Sequence, residues 1–266
     1  MTEQNAYSTT TTPRGHNPDP ALPERLLQDL ETLGIQPGSN LLLHSSFRSL
    51  GGYPGGGEGF LDALCAYFSD GLLLLPALSW ETVNAAHPFF DQKETPSCVG
   101  YLPEAFRLRP DVYRSAHPTH SLSGFGSWAD LYLSGDEHGG TPCSPRSPWG
   151  RLPEIDAWIL MLGCDLTSMT TLHAIEEVAG ITGRLTEEPV DITIRYQDGR
   201  ERQVPLRFHS GFPSNQYWKL EEGLLEHGLM RRGRLLAADC LVLKAADLFS
   251  YSLERLRFEP RLFDAP

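Results

Sequence analysis

The residues best placed to do chemistry sit in the stretch TTLHAIEEVAG, where His173 is followed three and four positions later by Glu176 and Glu177. On a helix, side chains three and four apart share a face and come within reach of one another. A carboxylate held on one imidazole nitrogen fixes the tautomer and makes the other nitrogen a better proton acceptor, so the trio suits general-base catalysis. The same trio suits half of a metal site or a solvated ion pair on a helix face. Leu172, Ile175 and Ala179 form an apolar stripe that would anchor the helix in a core.

Other stretches carry chemistry of their own. RSAHPTHS sets His117 and His120 three apart around a proline, and with His173 and Glu176 a metal centre can be drawn. Paired zinc histidines on a helix sit four apart, as in H-E-x-x-H, so the spacing is poor and no metal is expected. HSSFRSLG places Ser45 and Ser46 at the end of an apolar run, where open α/β sheets bind ligands. GGYPGGGEG contains neither a G-x-x-x-x-G-K-[ST] nor a G-x-G-x-x-G frame, which leaves a plain turn or an anion cradle ahead of a helix. The five cysteines form no C-x-x-C pair and are odd in number, which points to buried thiols rather than disulfides or structural zinc.

The elements that must position these residues alternate. PERLLQDLETLG reads as an amphipathic helix with Leu26, Leu30 and Leu33 on one face; NLLLHSS is a buried strand, FLDALCAYFS a helix and GLLLLPAL a second strand. Residues 80–155 are dense in Pro, His and Ser and read as functional loops, with one helix at YLPEAFRL. AWILMLG restores a core strand and residues 170–180 form the helix carrying His173. Residues 191–208 alternate around Asp198-Gly199 as a hairpin, 216–229 read as helical, and DCLVLKAADLFSYSLERL gives a strand and a closing helix. The result is an α/β fold: one domain over residues 21–266, preceded by a polar tail over 1–20, with a central mixed or parallel sheet, helices on both faces and long active-site loops. Its formal net charge of −12 disfavours nucleic acid and suits a cationic partner. No apolar run spans a membrane and no secretion signal opens the chain, so a cytoplasmic location is expected.

Taken in order, LGIQPGSNLLLHSSFRSLG, FDQKETPS, GYLPEAFRLRPDVYRSAHPTHSLSGFG, SPWGRL, LGCDLTSMTTLHAIEE and RGRLLAADCLVLKAADL resemble the antibiotic N-acetyltransferase family, typified by aminoglycoside 3-N-acetyltransferases, over roughly residues 22 to 250. The pairing of R-S-x-H-P with a later T-x-L-H-x-x-E is the most specific part. The resemblance implies transfer of the acetyl group of acetyl-coenzyme A to the 3-amine of an aminoglycoside, in antibiotic resistance; no cysteine sits in a recognisable nucleophile context, so direct attack is expected rather than an acyl-enzyme. The resemblance gives His173 the role of general base and Glu176 that of its support. It assigns Ser45, Ser46, Arg114 and Ser115 to the coenzyme, and Glu81, Asp91 and Glu104 to the acceptor. Ala77 stands where many relatives carry a threonine. Rival readings are the same chemistry on a different amine, a metal-dependent hydrolase using His117, His120 and His173, and a non-catalytic acyl-coenzyme A-binding protein. No feature fixes an oligomeric state.

Overall fold

Three apolar runs, residues 41–43, 72–75 and 159–162, form the parallel centre of a seven-stranded sheet in the computed structural model, which describes residues 21–264. The expected tail over residues 1–20 lies outside the described residues. The parallel strands are β1 (Asn40–Ser45), β2 (Leu72–Pro76) and β6 (Trp158–Leu162), with β1 in the middle. Antiparallel strands extend this centre on both sides. β5 (Leu122–Phe125) and β4 (Tyr113–Arg114) lie beyond β2; β10 (Ala238–Lys244) and β9 (Met230–Leu235) lie beyond β6. A second sheet of three strands joins β3 (Phe89–Asp91) to the hairpin β7 (Val190–Arg195) and β8 (Glu201–Leu206).

Successive side chains on a strand point to opposite faces, and here both faces are apolar, as a sheet covered on two sides requires. Leu41, Leu43, Leu73 and Leu75 pack with α1 (Leu22–Thr32), α2 (Gly56–Tyr67) and Phe106 of α3 (Tyr101–Arg107). Leu42, Leu72, Leu74 and Met161 pack on the other side with α4 (Ala129–Leu133), α5 (Thr171–Val178) and α7 (Ala245–Phe258). The alternating hairpin residues Ile192, Ile194, Val204 and Leu206 close a third, smaller core with Phe90 and Val83.

The glycine-rich loop before α2 has a packing reason. A Cβ on Gly57 would meet the Tyr101 ring at 2.2 Å and one on Gly59 the carbonyl of Pro54 at 2.1 Å. Two segments differ from the sequence-based reading. Residues 80–155 contribute β3, β4, β5 and α4, strands of two to four residues and a five-residue helix that are too short for an apolar run to announce. The helix expected over 216–229 is a 3₁₀ segment, Pro213–Leu220, followed by the short α6 (Glu221–Glu226). MRRGRL, too basic to read as a strand, is β9, whose arginines are free to face outward at the sheet edge.

Candidate active site

A cavity of about 750 Å³ opens beyond the carboxyl ends of the parallel strands. His44 and Ser45 reach it from the end of β1, Pro76 and Leu78 from β2, and Cys164 from just past β6. This is where open α/β sheets bind ligands, because the strand ends and the loops leaving them form a crevice. Gly163, at φ +64, turns the chain out of β6; a Cβ there would strike Ser49 Oγ at 2.1 Å. Asp165 then caps the next turn through the Thr167 amide, and α5 follows, bringing His173 to the wall.

His173 does not meet its acid directly. Its Nδ1 is 2.8 Å from the Tyr217 hydroxyl, which donates to Glu176 Oε2 at 2.7 Å, whereas Nδ1 and Oε2 are 3.8 Å apart. The phenol has one proton, so with that proton on Glu176 the bond to His173 is a donation from Nδ1–H. Nε2 is then the basic nitrogen. Glu176 is fully buried and its other oxygen accepts from Arg184 Nε, while Arg184 also binds Asp264 at 2.8 Å. Burial pushes the Glu176 carboxyl up, and the hydrogen bonds from Tyr217 and Arg184 oppose that push. Burial, then the neighbouring His209 and Arg184, hold the His173 imidazole well below its ordinary range, so it is neutral at neutral pH. His209 stacks on it with ring centroids 4.1 Å apart.

Glu177 does other work. It accepts from Thr141 Oγ1 and from the Cys143 amide at 2.9 Å, tying the loop before residue 144 to α5. Helical spacing allowed either acid to serve His173; Glu176 is the one joined to it through Tyr217.

Of the residues assigned to the coenzyme, Ser45 lines the cavity, and among the described residues its buried hydroxyl has no hydrogen-bond partner. His44 Nε2 beside it is likewise buried and unpartnered. Ser46 is off the wall, its amide on the Leu162 carbonyl and its own carbonyl on Ser49. Arg114 is buried under the floor: its guanidinium donates to Ser121 Oγ and to the carbonyls of Ala77, Gln92 and Thr95, and it lies over the Phe90 ring. The Ala77 carbonyl accepts from both Arg114 and the Ser121 hydroxyl. Ser115 is buried on Asp136 at 2.6 Å.

The acceptor carboxylates are also off the wall. Glu81 is exposed just past Trp80. Asp91 caps the Lys93 and Glu94 amides and sits 3.5 Å from Arg195. Glu104 holds Arg107 and the Ser97 amide.

Of the histidines in the hydrolase reading, His120 lies between the other two, its ring centroid 6.1 Å from that of His117 and 6.4 Å from that of His173. Both ring nitrogens of His117 are engaged, Nδ1 by the amides of Thr119 and His120 and Nε2 at the Thr141 carbonyl. A ring nitrogen of His120, one of His209 and the Cys143 thiol do approach within 4.8 Å of one another. Sequence spacing missed Tyr217, Arg184 and His209; of these, Arg184 alone lies near Glu176 in the chain, eight residues on.

A sequence profile described as aminoglycoside 3-N-acetyltransferase matches residues 42–257. The chain belongs to that family. Aminoglycoside N(3)-acetyltransferase IV of Salmonella sp is 31% identical over 244 residues, covering 91% of this chain and 89% of that protein. Aminoglycoside N(3)-acetyltransferase VIII of Streptomyces fradiae is 29% identical over 259 residues, covering 86% and 90%. Among solved structures, a histidine-to-alanine variant of AAC(3)-IVa in complex with a gentamicin superposes with a TM-score of 0.78 at 29% identity, covering 91% of each chain. AAC-IIIb, solved as a binary complex with CoASH, has a TM-score of 0.78 at 23% identity, covering 90% of this chain and 97% of that one, and shares the fold. This member of the acetyltransferase family therefore has the α/β architecture its sequence implied. Among the described residues, no helix is long and apolar enough to cross a membrane.

Proposed function

We propose that this chain transfers the acetyl group of acetyl-coenzyme A to an amine by direct attack, with His173 as general base, and that it accepts the 3-amino group of aminoglycosides as its relatives' names indicate. The observation that carries this reading is the His173–Tyr217–Glu176 chain beside an open cavity. It leaves Nε2 as the free acceptor while Nδ1 is fixed from behind.

An acceptor ammonium first loses a proton to solvent. The neutral amine attacks the thioester carbonyl as its second proton passes to His173 Nε2; the new C–N bond forms, the C–S bond breaks, and coenzyme A leaves as thiolate to be protonated. Glu176 steadies the imidazolium through the Tyr217 hydroxyl, as the acid of a Ser-His-Asp triad steadies its histidine. Holding amine and thioester in one cavity supplies the larger, entropic share of the rate. Ser45 and His44, buried and unpartnered on the wall, are the groups to meet the pantetheine arm or the thioester oxygen. Arg114 and Ser115 act through the floor they hold rather than by touching ligand.

The test is mass and NMR analysis of the product formed from gentamicin and acetyl-coenzyme A. One acetyl group on the 3-nitrogen is expected; an unchanged aminoglycoside with intact acetyl-coenzyme A contradicts the reading.

A further inference from the structure

Beside the His173–Tyr217–Glu176 chain, three separate segments turn metal-ligating atoms toward one another. A ring nitrogen of His120, a ring nitrogen of His209 and the Cys143 sulfur all lie within 4.8 Å of one another. His120 precedes β5, Cys143 stands in the loop between α4 and β6, and His209 follows β8 and bridges to Leu185. Zinc holds an imidazole nitrogen at about 2.0–2.1 Å and a thiolate sulfur at about 2.3 Å, so its ligand atoms stand about 3.5 Å apart in a tetrahedron. A turn of the His209 ring, the least buried of the three, closes the difference.

Both imidazoles have a nitrogen to give. Thr119 Oγ1 holds His120 Nδ1 at 2.9 Å, which leaves Nε2. Among the described residues, His209 Nε2 is buried with no hydrogen-bond partner, 3.6 Å from Glu177 Oε1. A polar atom taken from water in this way is costly unless something pairs with it. The loops that carry the ligands are themselves held. His117 accepts from the His120 amide and meets the Thr141 carbonyl, while Glu177 ties Thr141 and the Cys143 amide to α5. Such outer partners orient the ligands of a metal, and the Glu177 carboxylate adds negative charge beside two of them. Two imidazoles and a thiol suit a borderline-soft ion such as zinc rather than magnesium or calcium, which take oxygen. This set is not that of the hydrolase reading, since His117 is spent on the loops and His173 Nδ1 on Tyr217.

His120 and His209 also line the cavity that holds His173, and His209 stacks on His173 at 4.1 Å. The transfer proposed above uses no metal, so an ion here acts on it from outside. A dication one ring away opposes both the positive charge that His173 takes up and the approach of an ammonium group.

We propose that His120, Cys143 and His209 form a binding site for a borderline-soft divalent cation, zinc above all, and that the bound ion shuts off acetyl transfer. The inhibition, though not the site, rests on the acetyl-transfer reading.

The experiment measures zinc binding by competition with a chromogenic chelator, for the wild-type chain, Cys143→Ser and His209→Gln, and records absorption spectra with cobalt(II) in place of zinc. We expect zinc binding to weaken about 100-fold or more in each variant. We also expect a thiolate-to-cobalt charge-transfer band in the wild-type chain that Cys143→Ser abolishes. A wild-type spectrum without that band overturns the site whether or not the variants fold, and so does zinc bound equally well by Cys143→Ser. In parallel, acetylated gentamicin is followed by mass, because zinc binds free thiols. Wild-type turnover is expected to fall about tenfold or more with the site filled and to return on chelation, with Cys143→Ser indifferent to zinc. Full turnover with zinc on the site overturns the inhibition and leaves the site standing. No turnover in the absence of zinc overturns the acetyl-transfer reading, and the inhibition with it, while the binding and spectra still decide the site.

Discussion

The Tyr217 hydroxyl stands between His173 Nδ1 and Glu176 Oε2, 2.8 Å from one and 2.7 Å from the other. It makes the connection between base and acid that sequence spacing had assigned to direct contact. On the proposed general-base reading, Tyr217 is a positioning residue, acting on the amine only through His173. In Tyr217→Phe the imidazolium loses its link to Glu176, so the pKa of His173 falls further. We expect kcat to fall roughly 10- to 100-fold, less than loss of the base itself, with KM for acetyl-coenzyme A unchanged and the acid limb of the kcat profile displaced to lower pH. A purely structural tyrosine would lower the melting temperature and leave that limb in place.

On the proposed reading, the acid limb of kcat/KM in the wild-type enzyme reports His173. Burial lowers its pKa below the ordinary 6.5, and the base works only when neutral. With each rate divided by the fraction of the acceptor amine that is neutral at that pH, activity is therefore expected to hold steady as pH drops through 6.5 and to decline only below it. A limb above 6.5 would place a different group in the role.

Glu176→Gln removes the negative end of the chain and leaves Arg184 with Asp264 alone. We expect a loss in kcat of about 100-fold and a stability loss of about 3 kcal/mol, the scale for breaking one side of a buried ion pair. Urea unfolding alongside steady-state kinetics checks both. Glu177→Gln, which loosens the Thr141–Cys143 loop, is expected to cost activity less.

Much of this arrangement was legible in the sequence. Apolar runs gave β1, β2 and β6 because strands buried on both faces need no alternation, and the Asp198-Gly199 hairpin declared itself by alternation with a turn between. His173 and Glu176 share one helix, so their kinship was local. Tyr217 comes from a 3₁₀ segment 44 residues on, and no spacing rule reaches that far. β4 and β5 were hidden because they are only two and four residues long, and the buried guanidinium of Arg114 ties β4 to the carbonyls of Ala77, Gln92 and Thr95. The resemblance that set Arg114 beside the coenzyme marked a segment near the site; the side chain itself turns into the scaffold.

Arg114→Lys separates those roles. Lysine cannot reproduce a planar fork reaching Ser121 and three carbonyls. We expect a melting-temperature drop corresponding to about 2–4 kcal/mol, with buried carbonyls left unpaired, and an unchanged dissociation constant for acetyl-coenzyme A in the folded fraction.

Four buried histidines lower the stability in acid. His44 and His117 are held at about 4, and His120 and His173 are lowered as well, chiefly by burial. The unfolded chain binds these protons more readily, so the stabilisation is complete above pH 6.5 and is lost as pH falls from 6.5 toward 4. Each of the first two contributes on the order of 3 kcal/mol across that window. Burial raises the Asp136 carboxyl to about 7, which opposes this loss over the same window, so denaturant midpoints are expected to fall more steeply from pH 6.5 to 4 in Asp136→Asn than in wild type; equal slopes would contradict the opposition.

The most direct test of the account is the rate of coenzyme A thiol release by wild type and His173→Ala, with gentamicin as acceptor and with acetyl-coenzyme A binding measured in parallel. The account predicts equal binding and a loss in kcat of about 100-fold or more, the scale for removal of a general base. Turnover by His173→Ala near the wild-type rate would contradict it and assign the proton to another group on the cavity wall.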